Sequence, residues 1–194
     1  ADCLSRAVLA TPNAIVNGTL GTPPTALLTY LGARTKMNQA LAPMDARTML
    51  VDSNSSAYIV DSLKGLFQDS SQIKEQYREG IMGRTAGYDW VEGQLNPFTT
   101  VGNKVAGLTV SAAPADGAST LVIAGTVAAD TFKKGQVFTI AGVFAVNPET
   151  RQSTGSLQQF VVTADATAAG ATTSVAVYPA FQFASPSAAF QNIT

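Results

Sequence analysis

The chain has 194 residues, of which 46% are hydrophobic and 13% charged, with a net charge of −1. Its surface must therefore be largely Ser, Thr, Ala, Gly and Gln, and it has no field to gather nucleic acid or acidic lipid. Histidine is absent and Cys3 is the sole cysteine, which excludes His triads, His metal sites, an intrachain disulfide and a multi-thiolate zinc centre.

The opening ADCLSRAVLATPNAIV lacks a basic leader, a continuous apolar core and an initiator Met, and it reads as the middle of a helix. A piece of a longer chain without a signal peptide is expected. No run of about 18 apolar residues follows, so no membrane span is expected. Residues 22 to 42, TPPTALLTYLGARTKMNQALA, predict a helix capped by Thr22, with Pro23 and Pro24 in its first turn. Leu27, Leu28, Leu31, Met37 and Leu41 would form its apolar face, and Pro43 would stop it. RTMLVD (47 to 52) predicts a strand. SNSSAYIVDSLKGLF then predicts a helix capped by Ser53 or Asn54, with Ile59, Leu63, Leu66 and Phe67 on one face. A short helix is expected from Ile73 to Glu79, and IMGRTAGYDWVEG returns as extended chain.

Near residue 106 the composition changes. Residues 1 to 105 hold nine basic and nine acidic residues, whereas 106 to 194 hold three and four, which predicts a domain boundary. The second part offers the β-compatible segments GLTVSAA, STLVIAG, GQVFTIAG, FAVNP, LQQFVVTAD and TSVAVYPA, spaced as in a small sandwich or barrel. Asn147-Pro148 and Thr154-Gly155 read as turns, and ADATAAGATT (164 to 173) as an exposed loop.

Few residues offer chemistry. Asp52 with Asp61, or Asp89 with Glu92, could form a carboxylate pair, although solvated surface acids are the simpler reading. GIMGRTAG fits no phosphate-binding fingerprint and reads as glycine turns. Lys133-Lys134 could meet an acidic partner or simply form a solvated turn. Tyr88 and Trp90 alternate on one face, as a stacking platform or as core packed on a helix. The sequons at Asn17, Asn54 and Asn192 would matter only in a secreted protein.

Three stretches in order carry a resemblance: RTMLVDSNSSAYIVDSLKGLF, EQYREGIMGRTAGYDWVEGQLNPFTTVG and FKKGQVFTIAGVFAVNPETRQSTGSLQQFVVTAD. Together they resemble the major coat proteins of short-tailed bacteriophages of the Salmonella podovirus type, the gene-five coat family. The likeness spans nearly all of the chain, and the third stretch is its most specific part. It implies an α+β architecture: the axial-domain part of a Hong Kong 97-type capsid fold, with helices on a small sheet, followed by an inserted β-barrel of about six strands. On this resemblance, residues 1–20 are the end of the spine helix in the peripheral domain and 21–105 the axial domain. Residues 106–184 are the inserted barrel, and 185–194 return toward the axial domain.

The resemblance implies a structural, non-enzymatic protein that self-assembles in the bacterial host cytoplasm into the procapsid and remains in the virion capsid. The inserted domain would aid subunit folding and shell contacts. Partners would be other coat subunits in hexamers and pentamers, with scaffolding and portal proteins, and neither membrane nor sequence-specific nucleic acid. The N-terminal arm, the extended loop and most of the spine helix have no counterpart here. AAPADGASTLVIAG is short where some relatives carry a loop reaching a neighbouring capsomer. No catalytic, cofactor-binding or metal-binding residue is assigned, and no cofactor is expected. The alternatives are an extracellular β-rich binding or adhesion module, motivated by the low-charge β-domain and the Tyr88 and Trp90 pair, and a carboxylate enzyme.

Overall fold

The computed structural model describes residues 22–63, 83–94, 100–184 and 192–194. They fall into two compact units, one before residue 95 and one from residue 100 on. The expected helix at 73–79, the residues 1–20 and Cys3 lie outside the described residues.

The first unit contains α1 (Leu27–Gln39), β1 (Thr48–Val51), α2 (Ser53–Leu63), β2 (Arg84–Thr85) and β3 (Tyr88–Glu92). The helix α1 has its N-cap at Ala26, extended and with no side-chain cap, in place of the expected Thr22. Pro24 accounts for the start of the delay, because a residue preceding proline is pushed out of the helical region and Pro23 therefore cannot open the helix. Its inward face also differs from the expected one. Tyr30 is buried, with Leu27 and Met37 packed beside the same core, while Leu28 is 77% exposed. Positions 27, 30, 34 and 37 form one helical stripe. Leu41 lies beyond the helix at φ 56°.

The strand β1 runs parallel to β3, pairing Thr48 with Asp89 and Val51 with Glu92, and β2 pairs antiparallel on the other side of β3. Ala86 and Gly87 join β2 to β3 with φ of 57° and 85°. Two positive φ values make a type I′ connection, whose twist matches that of the strands. The cap of α2 is Asp52, not Ser53 or Asn54. Its Oδ2 accepts the Ser55 amide at 3.3 Å, and its carbonyl accepts the Ser56 amide at 2.9 Å. Tyr30, Val51, Ile59, Tyr88 and Trp90 close the core, with Trp90 edge-on to Tyr30 at 5.3 Å and to Tyr88 at 6.4 Å.

The second unit contains β4 (Thr109–Val110), β5 (Thr120–Ala124), β6 (Thr131–Phe132), β7 (Val137–Val146), β8 (Ser153–Val162), β9 (Ala166–Thr167) and β10 (Thr172–Tyr178). Five strands form a curled antiparallel half-barrel sheet in the order β4-β5-β10-β8-β7, and β6 pairs with β9. The strand β10 makes the curl possible, since residues 172–176 pair with β5 while Val177 and Tyr178 pair with β8. Phe160, Val162, Val175, Val177, Leu121 and Phe181 form a buried core, with Phe160 and Phe181 rings 4.7 Å apart.

The expected segments GQVFTIAG and FAVNP are one strand, β7, interrupted by a bulge. Its register against β8 jumps between Thr139 and Phe144, around Gly142 at φ 80°. Thr154-Gly155 likewise lies inside β8, where the pairing skips from Ser153 to Leu157. A glycine at positive φ serves a bulge as well as a turn, so sequence chemistry alone does not separate the two. The turn at Asn147-Pro148 is present, with Asn147 Oδ1 accepting the amides of Glu149 and Thr150. The stretch 164–173 is not simply an exposed loop. It carries β9, and Ala168 and Thr173 are buried.

The ends of this unit also differ from the expected boundaries. The Asn103 carbonyl accepts the Thr131 amide at 2.7 Å, and Asp130 Oδ1 accepts the Val105 amide at 3.2 Å, so residues before 106 are already tied to the β unit. Ile193 is buried in the same core and bridges to Ala145, so the described end of the chain belongs there rather than to an axial domain.

Candidate functional site

The first unit brings together none of the proposed carboxylate pairs. Asp89 and Glu92 are three positions apart on β3, which points their side chains to opposite faces. Asp89 sits 3.9 Å from the Arg84 guanidinium, and Glu92 accepts a hydrogen bond from the Ser53 hydroxyl. Asp52 caps α2, and Asp61 lies near the far end of the same helix, about 13 Å along its axis. Hydrogen bonds from Ser55, its hydroxyl first, hold the Asp52 carboxyl below its usual range.

Tyr88 and Trp90 are 2% and 9% exposed. They are core, and they form no platform for sugars or bases. The opposite face of the same sheet is different. Leu50 and Val91 are register partners on β1 and β3, and both are exposed, so they form an adjacent apolar pair on the outer face. Leu28 and Met44 are further exposed apolar side chains of this unit. Gly83 and Gly87 of GIMGRTAG both take positive φ, Gly87 in the β2–β3 turn and Gly83 just before β2, and Arg34 folds over Gly87 with its Nη1 on the Ala86 carbonyl at 3.2 Å.

The acidic partner of the Lys133-Lys134 pair is within the chain. Asp165 accepts from Lys133 Nζ and from the Lys134 amide, both at 2.8 Å. These bonds, the Lys133 side chain first, hold its carboxyl below the usual range. Asn192 has both ends of its amide engaged, Nδ2 on the Ala180 carbonyl at 2.8 Å and Oδ1 on the Gln182 amide at 3.1 Å. Asn54 is in the first turn of α2, and Asn17 lies outside the described residues.

Among the described residues, the β unit has a half-open cavity of about 470 Å³ at the open side of the half-barrel. Both edge strands line it, β4 through Thr109 and Val110 and β7 through Phe138 to Ala141, with Leu121 and Ile123 of β5 and Phe132 of β6 behind. Lys104 and Gln136 are its strongest polar groups. Nothing in KKGQVF marks Gln136 as buried, because a glutamine after Lys-Lys-Gly reads as a solvated turn. The turn instead folds it inward.

Among the described residues, no three of His, Cys, Asp and Glu gather in a group that could hold a metal ion, and no helix is long and apolar enough to cross a membrane. The site as built offers apolar contact surface and hydrogen-bond donors. No family model matches the sequence, and a search of curated proteins finds no match.

Proposed function

We propose that the chain is part of the major capsid protein of a tailed bacteriophage, a coat subunit whose work is self-association into an icosahedral procapsid. The observation that carries this reading is the succession of a helix-and-sheet unit and a β unit with its own aromatic and aliphatic core. The three ordered stretches resembling the gene-five coat family lie across both units. In the finer form of the proposal, the first unit belongs to a Hong Kong 97-type axial domain, and the half-barrel is the inserted domain of about six strands that aids folding and shell contacts.

The surface chemistry is consistent with such work. Repeated symmetric contacts of ordinary size, roughly 1,200–2,000 Å² each, hold a closed assembly without reactive groups. Low charge and exposed apolar side chains such as the Leu50 and Val91 pair suit them. The partners are further copies in hexamers and pentamers, with scaffolding and portal proteins, and the location is the virion after assembly in the host cytoplasm. No catalytic step enters the proposal. The burial of Tyr88 and Trp90 removes one of the two features that suggest an adhesion module, the aromatic pair.

The test is expression of the whole gene that encodes this chain, together with its scaffolding partner, followed by velocity sedimentation and electron microscopy. Closed shells of uniform diameter are expected. A folded coat chain that stays dispersed under every assembly condition tried contradicts the proposal.

A further inference from the structure

The geometry points to a ligand site that the coat-protein reading neither requires nor includes: the half-barrel cavity binds a carboxylate-headed amphiphile, with an aliphatic body on the β-sheet wall and its carboxylate toward Gln136 and Lys104. The wall is mostly hydrocarbon, from Leu108, Leu121, Ile123, Phe132, Phe138 and Ile140. Its volume of about 470 Å³ lies within the roughly 300–1,000 Å³ typical of small-molecule pockets. An apolar body is the matching occupant for such a wall, because it removes hydrocarbon from water on both sides.

The head group follows from the two polar side chains. Gln136 is 5% exposed, and its Oε1 accepts from the Gly102 and Lys133 amides, both at 3.4 Å. Those two N–H donors fix the oxygen end of the amide, so Nε2 is the end left over, and among the described residues it has no acceptor. Its backbone is also committed, the amide to Lys133 and the carbonyl to the Val162 amide. A buried donor without an acceptor is destabilising, and a ligand oxygen relieves that. Lys104, half-buried on the wall of the same cavity, has no carboxylate partner among the described residues. A cation and an unpaired N–H donor beside one hydrocarbon wall select an anionic acceptor over a neutral or cationic head.

Isothermal titration of the purified chain with sodium dodecanoate, below its micelle concentration, tests this. Dodecanol and dodecyltrimethylammonium serve as head-group controls. Saturable binding of one dodecanoate per chain is expected, with both controls at least tenfold weaker. Lys104→Ala should weaken dodecanoate by about tenfold, in line with loss of a charge-assisted bond, and Ile140→Trp should abolish binding by filling the cavity. Gln136→Leu should act like Lys104→Ala. Because it also strips the acceptor from two amides, thermal melting of each variant establishes that it is folded. No saturable binding by folded chain, equal binding of all three amphiphiles, or binding that survives Ile140→Trp overturns the inference. None of these outcomes depends on whether the chain assembles into shells.

Discussion

Arg47 donates from Nη1 to the Asn38 side-chain oxygen at 2.8 Å, joining the last turn of α1 to the start of β1. The same guanidinium donates from Nε to the Pro43 carbonyl and from Nη2 to the Ala42 carbonyl, both at 2.7 Å. Arg47 is buried, and its fork satisfies the chain where Leu41 and Ala46 take positive φ. Arg47→Met should lower the stability of the first unit by about 1–3 kcal/mol. Arg47→Lys should be no milder, since an ammonium keeps the buried charge without the planar fork. Trp90 is the only tryptophan and lies in this unit's core, so urea unfolding followed by its fluorescence reports the change.

Gly87 occupies the second central position of the β2–β3 connection at φ 85°, and a Cβ there would sit 3.3 Å from the Arg34 Cζ. Gly87→Ala should cost about 1–2 kcal/mol from the left-handed backbone alone. The extra methyl also presses on the guanidinium that bonds the Ala86 carbonyl. The expected result is a lower urea midpoint for Trp90 fluorescence. Arg34→Ala combined with Gly87→Ala should lose less than the sum of the two, because one variant removes the other's clash.

Asp130 is the polar anchor at the entrance to the β unit. It is buried, Oδ2 accepts the Val127 amide at 2.8 Å, and Oδ1 accepts the Val105 amide at 3.2 Å. Asp130→Ala leaves both amides without their acceptor and should cost about 2–4 kcal/mol. Hydrogen exchange should show loss of protection at Val105 and Val127 before the amides of β8 are affected.

Two carboxylates, Asp165 exposed and Asp52 partly buried, give the chain an acid limb. Asp52 and Asp165 are both held below their ordinary value of 3.8 by hydrogen bonds made in the folded state. Their contributions are fully present at pH above that value and are lost as pH falls through the depressed folded values. Stability should therefore be flat from neutral pH down to about pH 5 and decline below it. Asp52→Asn with Asp165→Asn should flatten the decline. Thermal melts from neutral pH down to roughly pH 2.5, spanning the flat region and the decline, measure this.

The strand-then-helix order at residues 47–63 is legible because an apolar run and a helical repeat agree over a short distance, whereas the cap is Asp52, one residue before the expected Ser53. The start of α1 is not, because Thr22 looks like a cap while Pro24 keeps Pro23 out of the helix, which begins at Leu27. Gly142 and Gly155 read as turns, and only pairing between distant strands shows that they are bulges. The strands β6 and β9 are two residues long, too short to show an alternation. The apolar wall of the cavity can be inferred from its residue types. The burial of Gln136 cannot, because it depends on how a turn closes against Gly102, 34 residues away.

Everything proposed for the second half rests on the β unit's holding together by its own core around Phe160, Phe181 and Val175. Residues 100–194, expressed alone, test this through NMR dispersion and the cooperativity of thermal unfolding. The account predicts well-dispersed β-sheet amide resonances and a single sharp transition, both lost in Phe160→Ala, which removes about 3–5 kcal/mol of core packing. Collapsed, poorly dispersed spectra with a gradual melt from the unmutated segment would contradict it.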